Sequence, residues 1–540
     1  CNSNREDVSL LRGCLLLIPF LTAMPAFAER SPVMPQFADD SGTSGVVTRY
    51  EGDWRYMVGG GAASFDCNDD DLPDLFVAGG SAPSALHANR SEPGGKLAFE
   101  AVESGLELVD VTGAYPLDID SDGIVDLVVL RTGENLVMRG LGECRFERAN
   151  EDWGFAGGGA WSTAFAAIWE RGSAWPTLAI GNYIDRHEEF EPWGSCTDNW
   201  LHRPAAAGSG FASPLPLTPS YCPLSMMFTD WDRSGRPSLR VSNDREYYEG
   251  GQEQMWRIEP DRDPELYSEQ EGWRYLRIWG MGIASHDIDH DGFPEYYLTS
   301  VADQKLQKLA PAAPGEAVRP SYDDIAWPRG VTAHRPYMGE DLRPSTGWHA
   351  QFEDINNDGL ADLFVAKGNV DSMPDFAAAD PNNMLVQQAD GRFVEAGESS
   401  GAGSGAISRG AILADFNLDG LIDIVVVNRR EPAQVLRNIT TGAGNFLQVR
   451  LRQSGPNPEA IGAWIEVETG ERTSRREIFS GGGHVSGHLG WWHFGIGDAG
   501  SARIRAIWPD GEAGPWTQVQ ANGFHILDRQ SGLASPAVKR

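Results

Sequence analysis

A nine-residue acidic pattern recurs along the chain and constrains its fold more than any other feature. Five complete copies occupy residues 66–74, 118–126, 287–295, 354–362 and 415–423, each with Asp, Asn or Glu at positions 1, 3, 5 and 9. A weaker copy at 230–238 lacks the carboxylates at positions 5 and 9, and residues 169–177 align as a copy without ligands. The seven copies start 51 to 67 residues apart, which predicts an array of seven similar units.

The chemistry of the pattern is oxygen coordination. Side-chain oxygens at positions 1, 3, 5 and 9, with a backbone carbonyl at position 7, form a shell that suits Ca²⁺ better than Mg²⁺, which needs a tighter octahedron. Acidic surface turns without metal are the alternative, but converged carboxylates repel one another. We predict about five calcium sites, with a sixth weak one at Asp230 and Asp232. The predicted ligands are Asp66, Asn68, Asp70, Leu72, Asp74, Asp118, Asp120, Asp122, Ile124, Asp126, Asp287, Asp289, Asp291, Phe293, Glu295, Asp354, Asn356, Asp358, Leu360, Asp362, Asp415, Asn417, Asp419, Leu421 and Asp423.

An EF-hand begins in the same way but needs a bidentate Glu at position 12. Position 12 here is Val or Leu within short β-branched or aromatic runs, such as Leu75-Phe76-Val77, which are typical of buried strands. Glycine-containing segments precede the loops, and further apolar segments follow them. Four short strands per unit and seven units predict an all-β fold, a seven-bladed β-propeller with a small C-terminal β domain.

The loops resemble FG-GAP/VCBS repeats, the calcium-binding blades also found in integrin α-subunit heads. The segment after the last loop, with Ser480-Gly481-Gly482-Gly483 and His493-Phe494-Gly495, is similar to the ASPIC/UnbV domain. Together they resemble bacterial relatives of the cartilage acidic protein family. The resemblance implies a propeller over residues 46–440 and an ASPIC/UnbV domain over 441–530, followed by a tail at 531–540. Asp71 departs from the repeat because it stands where the other complete copies have Gly.

The N-terminus predicts export. Residues 1–28 contain two arginines, a short apolar run and the sequence Ala26-Phe27-Ala28, which is typical of a cleaved signal peptide; an uncleaved anchor is the alternative. A linker is predicted over 29–45. No later segment is apolar enough to cross a bilayer. We therefore expect a secreted or periplasmic protein with no transmembrane segment in the mature chain.

Four cysteines follow the predicted signal peptide. An even number in an oxidising compartment favours disulfides, and we prefer the pairs Cys67–Cys144 and Cys196–Cys222 over buried free thiols.

Other candidate sites leave alternatives open. His484, His488 and His493 are either transition-metal ligands or packing residues. Six tryptophans within residues 151–200 serve ligand stacking or core packing. The excursion from Trp193 to Tyr221 is a candidate binding loop.

Composition and motifs bound the function. A formal net charge of −33 argues against nucleic-acid binding, and the metalloprotease and P-loop motifs are absent from the sequence. We expect an exported calcium-binding scaffold for recognition or adhesion, whose partner is an extracellular or periplasmic protein or glycan. The alternative is an enzyme acting on polysaccharides or in secondary metabolism, with Arg245 and Tyr247 as candidate lyase residues. A purely structural role is the third possibility.

Overall fold

The computed structural model describes residues 33–185, 195–206, 208–244, 252–313 and 315–536. Its regular structure is almost entirely β. Two helices of one turn are described, α1 (Ala326–Arg329) and α2 (Gly397–Ser400), with two short 3-10 turns at Trp54–Tyr56 and Glu269–Glu271. The predicted signal peptide, residues 1–28, lies outside the described ranges. No helix within those ranges has the length and apolar character needed to span a bilayer.

Residues 37–438 form seven small sheets, each built on four antiparallel strands. These strands are consecutive in six sheets, whereas the seventh takes its fourth strand from the N-terminal segment. The first four sheets consist of β2 (Ala62–Phe65), β3 (Asp74–Val77), β4 (Ala85–Asn89) and β5 (Phe99–Val102); β6 (Val111–Leu117), β7 (Asp126–Arg131), β8 (Leu136–Gly140) and β9 (Phe146–Arg148); β10 (Ser162–Ile168), β11 (Thr177–Asn182), β12 (Asn199–His202) and β13 (Leu215–Leu217); β14 (Pro223–Thr229), β15 (Ser238–Asn243), β16 (Gln254–Arg257) and β17 (Glu265–Leu266). The last three consist of β18 (Ile283–His286), β19 (Glu295–Leu298), β20 (Lys305–Leu309) and β21 (Tyr322–Asp324); β22 (Gly347–Glu353), β23 (Asp362–Lys367), β24 (Asn383–Gln387) and β25 (Phe393–Glu395); β26 (Ser408–Ala414), β27 (Asp423–Asn428), β28 (Gln434–Asn438) and β1 (Phe37–Asp39).

The first strand of each sheet packs against the first strand of the next, and β26 of the last sheet packs against β2 of the first. Backbone hydrogen bonds join neighbouring sheets at these strands. Gly61 donates its N–H to the Thr112 carbonyl over 2.9 Å, and Gly410 donates to the Gly60 carbonyl over 3.0 Å. Most side chains of the first two strands are buried, because neighbouring sheets stack on both faces.

Residues 445–536 form a separate pair of sheets, hereafter the C-terminal domain. One has the order β34-β29-β37-β38 and the other β31-β30-β35-β36. A core that includes Leu447, Ile504, Trp492 and Trp508 lies between them. The strand bounds are β29 (Asn445–Arg452), β30 (Trp464–Thr469), β31 (Arg472–Glu477), β34 (Trp492–Gly497), β35 (Ser501–Ile507), β36 (Thr517–Gln520), β37 (Gly523–Asp528) and β38 (Leu533–Pro536).

A glycine-rich segment of the C-terminal domain, residues 479–489, lies among the first strands of the seven sheets; we call it the central loop. It contains β32 (Ser480–Gly481), which pairs antiparallel with β10, and β33 (Gly487–His488), which pairs parallel with β2. The loop contacts the first strand of every sheet. Its partners in these contacts are Ser64, Ala114, Ala166, Met226, Ile283, His349 and Gly410.

Small residues make room for this loop. A Cβ on Gly61 would lie 1.7 Å from the Val485 carbonyl oxygen, and a Cβ on Gly113 would lie 2.0 Å from the same atom. Both distances are far below van der Waals contact, so these strands accept the central loop only with Gly at these positions. Gly61 and Gly113 belong to the glycine-containing segments that precede the acidic loops, and both face the inserted central loop.

Two segments predicted to be irregular contain strands. The predicted linker at 29–45 includes β1, which pairs antiparallel with β28 through Phe37 and Asn438 and so completes the seventh sheet. The predicted tail at 531–540 includes β38, which pairs with β37. Both predicted disulfides are present, Cys67–Cys144 and Cys196–Cys222.

Candidate metal loops and the domain that covers them

The five complete acidic loops share one hydrogen-bonding plan. Each connects the first strand of a sheet to its second. The carboxylate at position 1 accepts the N–H of position 6, as in Gly123 to Asp118 at 2.8 Å, and the carboxylate at position 9 accepts the N–H of position 2, as in Ile119 to Asp126 at 2.8 Å. Asp71, which replaces Gly at position 6 of the first loop, adopts φ +69° and preserves the turn.

In four of these loops the position-9 carboxylate also accepts a backbone N–H from the third strand, at 2.8 Å. The donors are Asn89, Gly140, Gln387 and Asn438. This contact fixes the carboxylate between the second and third strands of its own sheet. The side chains at positions 1, 3 and 5 therefore converge from the loop towards a carboxylate that the sheet itself holds in place.

The loops are acidic and largely withdrawn from water, which makes a cation favourable. Burial, with added repulsion from neighbouring carboxylates, raises the pKa of Asp118 to about 6 and that of Asp126 to about 8. Burial also raises the pKa of Asp74 to about 7 and that of Asp415 to about 8. In a protein at neutral pH, ionising such groups together requires a nearby positive charge.

The donor set fits a hard divalent cation. Ligand oxygens of Asp118, Asp120 and Asp122 lie within 4.8 Å of one another. Asp120 Oδ1 and Asn417 Oδ1 are buried without a hydrogen-bond partner, so each has a lone pair free to coordinate. Every donor in these sites is oxygen, as Ca²⁺ prefers.

The loop at 287–295 has a different occupant. Its carboxylates surround the ammonium group of Lys308, which lies 2.6 Å from Asp289 Oδ2 and 3.1 Å from Glu295 Oε1. Nothing in the nine-residue pattern distinguishes this loop from the other four as a calcium site, because Lys308 lies 13 residues beyond the pattern.

The incomplete copies are held by other contacts. At 230–238, Glu477 of the C-terminal domain accepts the Asp230 N–H at 2.7 Å and the Thr229 hydroxyl at 2.8 Å. At 169–177, Glu170 accepts the Thr177 hydroxyl at 2.6 Å and pairs with Arg203 at 2.7 Å. At residues 169–177, a hydrogen bond and an ion pair between protein side chains therefore stabilise the loop in place of metal ligands.

The C-terminal domain contacts the acidic loops at 66–74, 287–295, 354–362 and 415–423. Arg475 Nη1 lies 3.5 Å from Asp287 Oδ2, Arg472 donates to the Gly359 carbonyl at 3.0 Å, and Arg450 Nη1 lies 3.5 Å from Asp71 Oδ1. At the seventh loop, Gln448 Nε2 lies 3.4 Å from Asp415 Oδ2. The sequence motifs could not indicate this arrangement, because the contacting residues lie 33 to 379 positions from the loop residues that they meet.

One ion pair at this interface is deeply buried. Arg476 of β31 donates two hydrogen bonds to Glu353 of β22, one of them 2.7 Å long, and stacks over Trp492 at 4.8 Å from the ring centre. The two charged side chains are 8% and 4% exposed. Burial alone would raise the pKa of Glu353, but Arg476 brings that pKa below its usual value.

The three histidines do not form a common metal site. His484 contacts backbone groups of Gly59 and Leu224, His488 lies near the Trp491 carbonyl, and His493 bonds Asn357. Burial lowers the pKa of His484 to about 3 and keeps its ring neutral. The structure therefore favours packing over metal ligation for these residues.

Most of the tryptophan cluster is also core. Trp153, Trp161, Trp169 and Trp175 are buried. Trp193 lies outside the described residues, as do the candidate lyase residues Arg245 and Tyr247. The excursion from Trp193 to Tyr221 contains β12 and β13 where it is described, and the disulfide of Cys196 closes it.

A small cavity of about 90 Å³ opens at the opposite end of the first strands from the acidic loops. Its walls come from five sheets: from segments that precede first strands, from Trp348 of β22, and from segments that follow second strands. Asp244 at its edge accepts a hydrogen bond from the Tyr183 hydroxyl. The lining residues are Met57, Val58, Tyr183, Asp244, Trp279, Met281, Val301, Trp348, Val370, Met373 and Phe376.

Two family models match the chain. Residues 354–426 match the model of an FG-GAP-like repeat. Residues 453–534 match the domain described as ASPIC and UnbV, so the chain carries an ASPIC/UnbV domain at its C-terminal end. The two matches confirm the resemblance of the acidic loops to FG-GAP repeats and of the C-terminal segment to the ASPIC/UnbV domain.

Several solved structures are similar at low identity. The BBS1N structure in complex with ARL6DN has 10% identity and a TM-score of 0.42, covering 75% of this chain and 97% of that chain. Saccharomyces cerevisiae Sqt1 has 12% identity and a TM-score of 0.35, covering 75% and 99%. An Agrocybe aegerita lectin that recognises non-reducing terminal N-acetylglucosamine has 14% identity and a TM-score of 0.29, covering 71% and 81%. No curated protein matches the sequence.

Proposed function

We propose that this protein is an exported, calcium-binding, seven-bladed β-propeller that acts as a recognition or adhesion scaffold for a protein or glycan. Each of the seven sheets is one blade, which the contact between β26 and β2 supports. The two disulfides support an oxidising compartment outside the cytoplasm. Calcium occupies the acidic loops 66–74, 118–126, 354–362 and 415–423, which supply only oxygen ligands.

The position of the C-terminal domain carries the proposal. This domain contacts the acidic loops at 66–74, 287–295, 354–362 and 415–423, and its central loop contacts the first strand of every sheet. One end of the propeller is therefore closed to a large partner, and the calcium ions act as structural clamps beneath that cover. The opposite end remains for recognition, because rigid scaffolds commonly carry binding sites on the loops at one end.

The cavity at that opposite end suits a small group projecting from a larger partner. Trp279 and Phe376, which are half-buried, supply aromatic surface, and the Asp244 carboxylate adds a polar group to the wall. Aromatic faces pack on the apolar face of a sugar ring or on an apolar side chain, while the polar neighbour fixes its orientation.

Binding can be tested on glycan arrays and with surface proteins from the source, in the presence of calcium. A Trp279→Ala variant should lose at least tenfold in affinity, whereas Trp327→Ala should bind like wild type, because Trp327 is 78% exposed on α1. Equal affinity of the two variants would contradict the assignment of the cavity. Failure of wild type to bind any glycan or surface protein would refute a recognition role.

The calcium sites have their own test. Elemental analysis should find calcium bound to the purified protein, and chelation should lower its melting temperature because the buried carboxylates then repel one another. Unchanged melting in chelator, with no alkaline-earth ion detected, would rule out the calcium assignment.

A further inference from the structure

A lysine side chain lies inside one of the five complete acidic loops. Lys308 Nζ donates hydrogen bonds to Asp289 Oδ2 at 2.6 Å, Asp291 Oδ2 at 2.5 Å and Glu295 Oε1 at 3.1 Å. These are the carboxylates at positions 3, 5 and 9, which are predicted calcium ligands. One ammonium group therefore meets three carboxylates at the distances of charge-assisted hydrogen bonds.

The fourth carboxylate of this loop also has a cationic neighbour. Asp287, at position 1, lies 3.5 Å from Arg475 Nη1 of the C-terminal domain. Arg329 adds a further positive charge 3.7 Å from Asp289 Oδ2. The negative charge that would attract a divalent cation is thus partly balanced by side chains of the chain itself, with three cationic groups facing four carboxylates.

Strand register shows that Lys308 is specific to this sheet. It follows Gln307, the β20 residue that pairs with Tyr296 just after position 9. The equivalent residues of the other four sheets, read from the same pairing, are Ala88, Arg139, Val386 and Arg437.

Neither arginine at that register position occupies its loop in the same way. Arg139 Nε is 3.7 Å from Asp120 Oδ2, and its guanidinium is shared with Glu147 and Asp152 at the rim. Arg437 instead pairs with Asp40 at 2.8 Å. Among the five complete loops, three ligand carboxylates meet one basic side chain only at Lys308.

A second difference accompanies the lysine. Position 9 of this loop is Glu295, whereas the other four loops have Asp there. Those Asp residues accept a backbone N–H from the third strand at 2.8 Å, but Glu295 Oε1 meets Lys308 instead. The longer Glu295 side chain therefore bonds the Lys308 ammonium group, whereas the Asp side chains of the other loops bond the backbone of the third strand.

We propose that the Lys308 ammonium permanently replaces calcium in the loop at 287–295, so that this blade is closed by an internal cation. A calcium ion could enter only by breaking three charge-assisted hydrogen bonds and displacing a like charge from the site. The proposal rests on calcium binding at the other loops, and it makes the fifth sheet independent of the metal supply.

The test is the number of calcium ions per chain, measured by elemental analysis after free calcium is removed. Lys308→Met should bind one ion more than wild type, because Asp289, Asp291 and Glu295 are then left without the ammonium group. Lys305→Met is the matched control: Lys305 lies on the same strand but pairs with Asp303 and Asp324, outside the loop, so its ratio should equal that of wild type. Adding Asp291→Asn to Lys308→Met should remove the extra ion.

The outcomes separate the two proposals. An equal, non-zero ratio in wild type and Lys308→Met would overturn the replacement by lysine while leaving calcium at the other loops. No calcium in any variant would overturn both. A crystal structure of wild type with calcium at 287–295 and the lysine displaced would also overturn the replacement, and the converse arrangement would establish it.

Discussion

Loss of Arg476 should weaken the attachment of the C-terminal domain more than loss of any exposed arginine. Arg476→Met leaves the Glu353 carboxylate buried, with Gln351 Nε2 at 2.9 Å as a remaining donor on its own strand. Removing one partner of a buried ion pair typically costs about 3–5 kcal/mol. The variant Arg503→Met is the control: its pair with Glu468 is 47% and 26% exposed, and such pairs contribute roughly 0–1 kcal/mol.

The cost should depend on pH in a specific direction. In wild type the folded-state pKa of Glu353 is lowered, so the pair adds stability above the ordinary Glu value and loses it as pH falls through the folded pKa. Without Arg476, burial instead raises this pKa, so the variant loses stability as pH rises. The difference between wild type and Arg476→Met should therefore widen from pH 4 to pH 7.

Urea unfolding followed by tryptophan fluorescence measures the effect, with limited proteolysis as an independent measure of release of the C-terminal domain. The double variant Glu353→Gln, Arg476→Met should recover part of the loss, because it leaves no buried charge. A cost below about 1 kcal/mol at pH 7, or a double variant no more stable than Arg476→Met, would refute this reasoning.

Three further predictions concern other parts of the fold. Burial raises the pKa of Glu253 from its ordinary value of 4.5 to about 8. The protein should therefore lose stability as pH rises from 4.5 towards 8, because the buried carboxyl group then loses its proton. Glu253→Gln should make the melting temperature less dependent on pH over this range. Gly61→Ala should cost about 1–3 kcal/mol by overpacking against Val485 and accelerate proteolytic release of the central loop; unchanged proteolysis would contradict the close fit. Replacing Cys67 and Cys144 by Ser opens a loop of 77 residues and should cost roughly 4 kcal/mol in thermal or denaturant unfolding, while peptide mapping without reductant should recover this pair in wild type.

Local features of the fold could be predicted from the sequence. The acidic pattern requires a sharp turn, and the β-branched runs that follow, such as Leu75-Phe76-Val77, fall within second strands such as β3. The disulfide pairs could also be predicted, because four cysteines allow few pairings. These predictions depend on residues close together in the chain or on a small number of alternatives.

Long-range contacts could not be predicted. Lys308 has the spacing of an ordinary strand residue, and only the pairing of β19 with β20 places it against the loop at 287–295. Gly61 and Val485 are more than 400 positions apart in the chain. The sequence alone therefore does not distinguish a glycine that makes room for an inserted loop from one that makes room for a neighbouring strand. The three histidines suggested a metal by proximity in sequence, whereas each faces a different partner in the fold.

The central loop also has a consequence for biosynthesis. Residues 479–489 leave the ribosome after all seven sheets have been made, so the nascent chain must arrange those sheets while their shared centre is still empty. We expect the final assembly step to be entry of this late segment into a nearly complete structure. A nonsense mutation upstream of residue 479 would then leave seven sheets with a vacant middle, a form prone to aggregation and degradation.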